Sequence, residues 1–436
     1  VNTPRINGTI PSTRRGWQLA WLYFGAVSLG FCLVILTAAT PPVFVDYPDW
    51  VYQGSLLHGV LTGHPVPGYV MKHYPVPFVA NTIAIGFFNL FTTWQMAGKL
   101  WICFYLILSG FATWMLANAL RVTNPLAIVV LPAATFINLE FWWGRCGFEV
   151  GMCLVMILIA LAIRGARPIV MSLLLLAIFF THMEALACAF LFLGLWVLET
   201  RKWRELWVTI PALLLSVWYA VARFGEGNAD ASSVPHSNWR YGSRDFFLFK
   251  ANTYLKIFSL ANARTPAGLS QSEQIFGRPL LVLLILLSAC FAVLCLISVV
   301  VAALRLMRTD RRYLALFVLL LVPASIIVPQ IALGSTDPGS RLVVMGAAIG
   351  FFLMDWRGPV AKTIACLSIV ICVANLWQFA LLDHNPYLPG HARDLPQPLL
   401  DYAHTQPSGT LIYYDHLRSG EMNMGISTTA MFLKKK

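Results

Sequence analysis

VPFVANTIAIGFFNLFTTWQ, residues 76–95, is the stretch on which the fold turns. It has roughly the length of a membrane-spanning helix, about 20 residues. If it crosses, every later turn changes side, and Arg121, Arg164 and Arg167 fall outside, against the tendency of Lys and Arg to stay cytoplasmic. If it lies along or dips into the outer face, every basic turn falls inside. Asn81, Asn89 and Gln95 suit a helix at the interface better than one in hydrocarbon, so the second placement is expected.

The rest of the chain makes the membrane setting plain. Of its 436 residues, 58% are hydrophobic and 11% are charged; a soluble domain is nearer a quarter charged. Apolar runs recur along the whole length, as in a polytopic helical membrane protein. The net charge of +12 is read as orientation, and no basic stripe with interleaved aromatics suggests a nucleic-acid partner. The 9 cysteines show no C-x-x-C pair and no zinc-ligand spacing, and are read as packing residues.

Working outward, residues 1–16 carry Arg5, Arg14 and Arg15 and place the N-terminus in the cytoplasm. The first helix covers about Trp17–Thr40 and stops at Pro41-Pro42. Further helices are expected at Leu100–Leu120, Pro125–Leu139, Gly147–Ile163, Pro168–Thr181, Ala185–Leu198, Leu206–Phe224, Leu280–Leu304, Tyr313–Leu333, Leu342–Met354 and Val360–Leu382. The fold class is therefore an all-α polytopic membrane protein with about 11 transmembrane helices. Residues 1–382 form the transmembrane domain. Within it, 41–99 is a large first extracytoplasmic loop carrying juxtamembrane helices, and 225–278 is a second extracytoplasmic loop; 383–436 is a short outer tail, with a strand at Thr410–Asp415.

This topology gathers polar groups on the outer side, where ionisable residues at membrane depth often mark sites. Asp46 and Asp49 follow the first helix at i, i+3. Either caps the next helix, or one is a general base whose pKa rises through desolvation or the neighbouring like charge. Lys72, His73 and Tyr74 close the same loop. Arg145, between Glu140 and Glu149, is either their salt-bridge partner or a bidentate phosphate ligand. The preceding Phe141-Trp142-Trp143 is either an interfacial aromatic belt or part of a site. His182 with Glu184 interrupts an apolar hairpin, as a turn or as a histidine able to charge beside a phosphate. Arg244 lies in the second loop. Arg341 follows a turn, Asp337-Pro338-Gly339-Ser340, and either snorkels to headgroups or joins the site. GxxxxGK[ST] is missing, and so is GxGxxG after a strand, which argues against nucleotide-driven chemistry.

Val45-Asp46-Tyr47-Pro48-Asp49-Trp50 just after the first helix, and Lys72-His73-Tyr74-Pro75-Val76-Pro77 at the end of the loop, resemble the first extracytoplasmic loop of membrane glycosyltransferases of the GT-C class. Phe141-Trp142-Trp143-Gly144 followed by Phe148–Gly151, and Thr181-His182, resemble patterns in bacterial relatives of that class. The resemblance implies a sugar moved from a polyprenyl-phosphate donor to a hydroxyl of a glycan or lipid acceptor, with inversion, on the extracytoplasmic face of a bacterial inner membrane. It implies Asp46 as base, with Asp49 as second candidate, and its matching stretches hold Lys72, His73, Tyr74 and His182; Arg145, Glu184, Arg244 and Arg341, read above as polar groups of the same outer face, join them as candidate substrate or phosphate ligands. No cofactor is implied beyond the lipid-phosphate sugar itself; no metal ligand is assigned, and with no clear DxD motif metal use stays open. Membrane lipid is the remaining partner. The rival readings are a transporter or flippase of lipid-linked saccharides, favoured by internal repeats and broken midplane helices, and a non-catalytic assembly protein, favoured by the lack of a carboxylate-lined cavity.

Overall fold

A computed structural model describes residues 14–38, 47–65, 71–225, 244–258, 260, 266–309, 311–329, 331–332, 335–384, 411–412 and 433–434. In chain order the helices are α1 (Arg14–Thr37), α2 (Tyr47–Leu61), α3 (Ala80–Asn89), α4 (Trp94–Leu120), α5 (Leu126–Thr135), α6 (Leu139–Trp142), α7 (Cys146–Arg164), α8 (Pro168–Thr181) and α9 (Met183–Thr200). After a 3-10 turn at Trp203–Thr209 come α10 (Ile210–Gly225), α11 (Arg244–Leu255), α12 (Pro266–Phe276), α13 (Arg278–Leu306), α14 (Arg312–Ile327), α15 (Pro338–Leu353) and α16 (Gly358–His384). Extended structure among the described residues is two short antiparallel pairs, Ile331–Ala332 with Ser335–Thr336 and Leu411–Ile412 with Leu433–Lys434.

The chain is an all-α membrane protein. Among the described residues 7 helices are long and apolar enough to cross a membrane: α1, α4, α7, α9, Trp203–Ala222, α13 and α16. Leu126–Trp142, α8, α14 and α15 are shorter apolar legs of the same bundle. α1 shows why these helices stay in lipid. Ala20, Phe24, Val27, Phe31 and Ile35 form a buried stripe, while Leu19, Leu22, Leu29 and Leu33 on the other face stay exposed. A helix apolar all round has no face for water.

α4 is the pivot of the packing, lying against α1, α3 and α7. Thr93 caps its start, accepting from the Met96 N–H at 3.3 Å. Lys99, one turn in, donates to the Ala38 carbonyl at the end of α1, which fixes both helix ends at one level. Residues 39–93 therefore leave and return to the same end of the bundle. α3, of 10 residues, rises only about 15 Å, half of a hydrocarbon core. The segment 76–95 is not one element: Trp94 and Gln95 already belong to α4. Nor is Asn81 an interfacial residue, because it is buried and accepts from Trp101 Nε1 at 2.9 Å.

The opposite end is basic. Asn124 donates to the Trp356 carbonyl at 2.8 Å, Arg311 to the Leu120 carbonyl at 3.1 Å, and Arg312 pairs with Glu199. These bonds place the turns 121–125, 201–202, 307–312 and 354–357 together. Arg121, Arg201, Arg305, Arg308 and Arg357 lie there.

Three expected boundaries move. The leg expected at Pro125–Leu139 ends as α5 at Thr135, because Asn138 takes the Ala134 carbonyl (2.7 Å) and the Phe141 N–H (3.0 Å), competing with the helix for its partners. α14 ends at Ile327 rather than Leu333, since Pro329 pushes Val328 into extended backbone, at ψ 134°. α15 opens at Pro338 rather than Leu342, with proline in the first turn, where its missing N–H costs nothing.

Candidate functional site

The break between α5 and α7 builds the site. Asn138 caps α6, Gly144 turns the chain at φ 74°, and Glu140 is left on a single turn of helix with no exposure at all. A carboxylate there needs partners, and three converge on it. Its Oε2 accepts from Arg145 Nη1 at 2.8 Å and from Arg341 Nε at 3.1 Å; its Oε1 accepts from Ser340 Oγ at 2.5 Å. Arg341 Nη1 donates in turn to Glu184 Oε1 at 2.6 Å. Among the described residues, two guanidinium groups thus face two carboxylates. The Arg145 guanidinium also lies 4.7 Å from the Trp143 ring centre, in cation–π contact.

His182 is the hinge between α8 and α9. Its Nδ1 accepts from the Glu184 N–H at 3.3 Å and caps α9. Phe78 and Phe148 stand edge-on to the ring, with centres 4.6 and 5.5 Å away. Burial first, then Arg341 and Arg145, hold the imidazole well below its usual pKa. Burial and the two guanidinium groups thus weigh against the charged imidazole. It sits against α7 because Gly151 has no Cβ: one added there would come within 2.7 Å of Ala185 Cβ.

A second pair adjoins the first. Lys250 of α11 lies 3.7 Å from Asp337 Oδ1, beyond hydrogen-bond range, and Thr253 donates to Asp337 Oδ2 at 3.4 Å. Ser340 joins the two groups, its single O–H lying within reach of both the Glu140 carboxylate and the Asp337 carbonyl, the latter at 2.7 Å. Burial depresses the Lys250 pKa, with Asp337 opposing. Tyr254 hydrogen-bonds Ser325, and burial pushes its phenol up to about 12.

Of the residues predicted from sequence, Arg145, His182, Glu184 and Arg341 meet here. Several expectations change. Arg341 does not snorkel: its side chain is 6% exposed and doubly ion-paired, because α15 starts early enough to aim its first turn inward. Arg145 pairs with Glu140 and not with Glu149, which faces Tyr105, whose hydroxyl lies 3.0 Å from its Oε2. Phe141 and Trp142 are core, not an interfacial belt, packing on Phe31 and Phe379. Lys72 and His73 are exposed, and Lys72 with half-buried Tyr74 makes a cation–π contact at 5.7 Å apart from the network. Tyr74 approaches Tyr219 of α10, with centres 6.1 Å apart. Asp46 lies outside the described residues; Asp49 and Arg244 lie in the first turns of α2 and α11, with their side chains outside the description.

Glu140 as hub, Ser340, Lys250 and Asp337 were not singled out from sequence as site residues. Asn138-Leu139-Glu140 carries a cap signal and Asp337-Pro338 a helix start; Lys250 is marked only as one of several basic residues of the 225–278 loop. Among the described residues no group of three His, Cys, Asp or Glu side chains is placed to hold a metal. Comparison with family models, with curated proteins and with solved structures gives no match to this chain.

Proposed function

We propose that this chain is a membrane glycosyltransferase of the GT-C type, taking a sugar from a polyprenyl-phosphate donor to an acceptor hydroxyl on the extracytoplasmic face. The observation that carries the reading is the pair of buried arginines, Arg145 and Arg341, oriented by Glu140 at the end of the bundle from which the 39–93 loop emerges. Fixed guanidinium groups in a low-dielectric setting are suited to a developing phosphate charge. The clustering of arginines at the other end supports a cytoplasmic assignment for that end. The seven long and four shorter legs are then eleven crossings, with the loop before Trp94 outside.

In the proposed reaction Asp46, or Asp49, takes the proton of the acceptor hydroxyl. The freed oxygen pair bonds to the anomeric carbon from the face opposite the phosphate. The C–O bond to the phosphate breaks, its electron pair stays on the phosphate oxygen, and the configuration inverts. Because the two arginines are already neutralised, a phosphate must replace a carboxylate. Glu184 is the candidate: its side chain is 19% exposed, whereas that of Glu140 is fully buried.

A photoreactive short-chain polyprenyl phosphate tests this. It should label wild type and be displaced by unmodified polyprenyl phosphate. Glu184→Gln should bind it more tightly, by roughly tenfold, the worth of one charge-assisted contact. Labelling that is not displaceable, or that is indifferent to Glu184→Gln, would sink the phosphate reading.

A further inference from the structure

At the basic end, away from the network around Glu140, a cleft of about 480 Å³ opens between the last turns of α13 and the turn joining α15 to α16. Its walls are of two kinds. Val301, Leu306 and Val360 supply an aliphatic flank, and Val301 and Val360 are themselves exposed on the side of the bundle. Arg305, Arg357 and Asp355 supply a charged mouth with a net charge of one positive unit, two arginines against one aspartate. Arg357 and Asp355 pair at 3.8 Å with both side chains about half exposed, a pairing too open to be strong. Arg305 is in no ion pair among the described residues.

An aliphatic flank facing the bilayer beneath two guanidinium groups at the bundle end matches one chemistry: a phosphate ester carrying acyl chains. We infer that this cleft binds an anionic phospholipid of the adjacent leaflet, its phosphate between Arg305 and Arg357 and an acyl chain along Val301 and Val360. A free phosphate would satisfy the arginines but leave the flank uncovered. A zwitterionic lipid would bring a cation to an already positive mouth. The assignment is independent of what the opposite end of the bundle does.

The test uses the full chain in detergent, titrated with phosphatidylglycerol or phosphatidylcholine and read by native mass spectrometry and thermal melting. Phosphatidylglycerol should be retained and should raise the melting temperature; phosphatidylcholine should not. Arg305→Gln and Arg357→Gln should each weaken retention roughly fivefold, and the double variant about 25-fold, the worth of basic residues at an anionic surface. Both arginines are exposed, so melting without lipid should not move. Equal retention of the two lipids, or wild-type retention by the double variant, would overturn the inference. Inorganic phosphate alone raising the melting temperature as much as phosphatidylglycerol would make the cleft a free-anion site and overturn it too.

Discussion

At the scale of single residues, the network around Glu140 makes opposite demands on its members. Arg145 and Arg341 are each about 5% exposed and share one fully buried carboxylate. Arg145→Ala should therefore act first on stability, since removing one partner of a buried pair costs about 3–5 kcal/mol. Thermal melting in detergent should show it, and Arg145→Lys should recover only part, lacking the planar fork. Asp46 should behave differently. Asp46→Asn keeps size and loses the base, so turnover of a polyprenyl-phosphate sugar should fall roughly 10²–10⁴-fold while melting stays near wild type. Asp49→Asn should do much less: α2 opens at Tyr47, so Asp49 lies inside its first turn and not at the cap position expected for it from sequence. Reversal of the two effects moves the base to Asp49, and full activity in the double variant removes carboxylate catalysis from this loop. The arginines were legible as polar groups in the sequence; their partners were not. Arg341 could be placed only once α15 was known to start at Pro338, and Glu140 only once α5 was known to break.

Among the elements, that break is the most informative. An uninterrupted helix from residue 126 would leave no reason for Glu140 to project into the arginines. Asn138 holds the break through its cap to Phe141 and its bond to Ala134. Asn138→Ala should cost about 0.5–2 kcal/mol, seen as an earlier melt, and it should loosen phosphate binding beyond its effect on stability. A variant that melts earlier but binds unchanged would show that the break merely packs. Apolar runs were easily read from hydropathy, so the long legs fell near their expected places. The ends of α5, α14 and α15 did not, because side-chain capping and proline neighbours decide them and leave hydrophobic periodicity unchanged. The segment 76–95 was read as off the spanning path. Its division into α3 and the start of α4 was hidden because Thr93, the cap, is one of several isolated polar residues scattered through the stretch.

For the whole molecule, the two ends differ in kind: one gathers arginine-rich turns, the other a charge-balanced buried network. If the first is cytoplasmic, single cysteines at 164, 201 and 308 in a cysteine-free background should react only from inside, and those at 64, 227 and 401 only from outside. Labelling of position 164 from outside would invert the molecule and move the proposed site to the cytoplasmic face.

The network also has a history in time. Glu184 and Arg341 are 157 residues apart in the chain. At about 5–20 residues per second, translation separates their arrival in the membrane by roughly 8–30 s. Through that interval the first eight helices are already made and Glu184 has no Arg341 to meet. The nascent bundle must hold this carboxylate protonated, hydrated or at the lipid boundary until α15 is made. A chain halted before Pro338 should accordingly be a substrate for membrane proteolysis, while one completed through Leu353 should be spared.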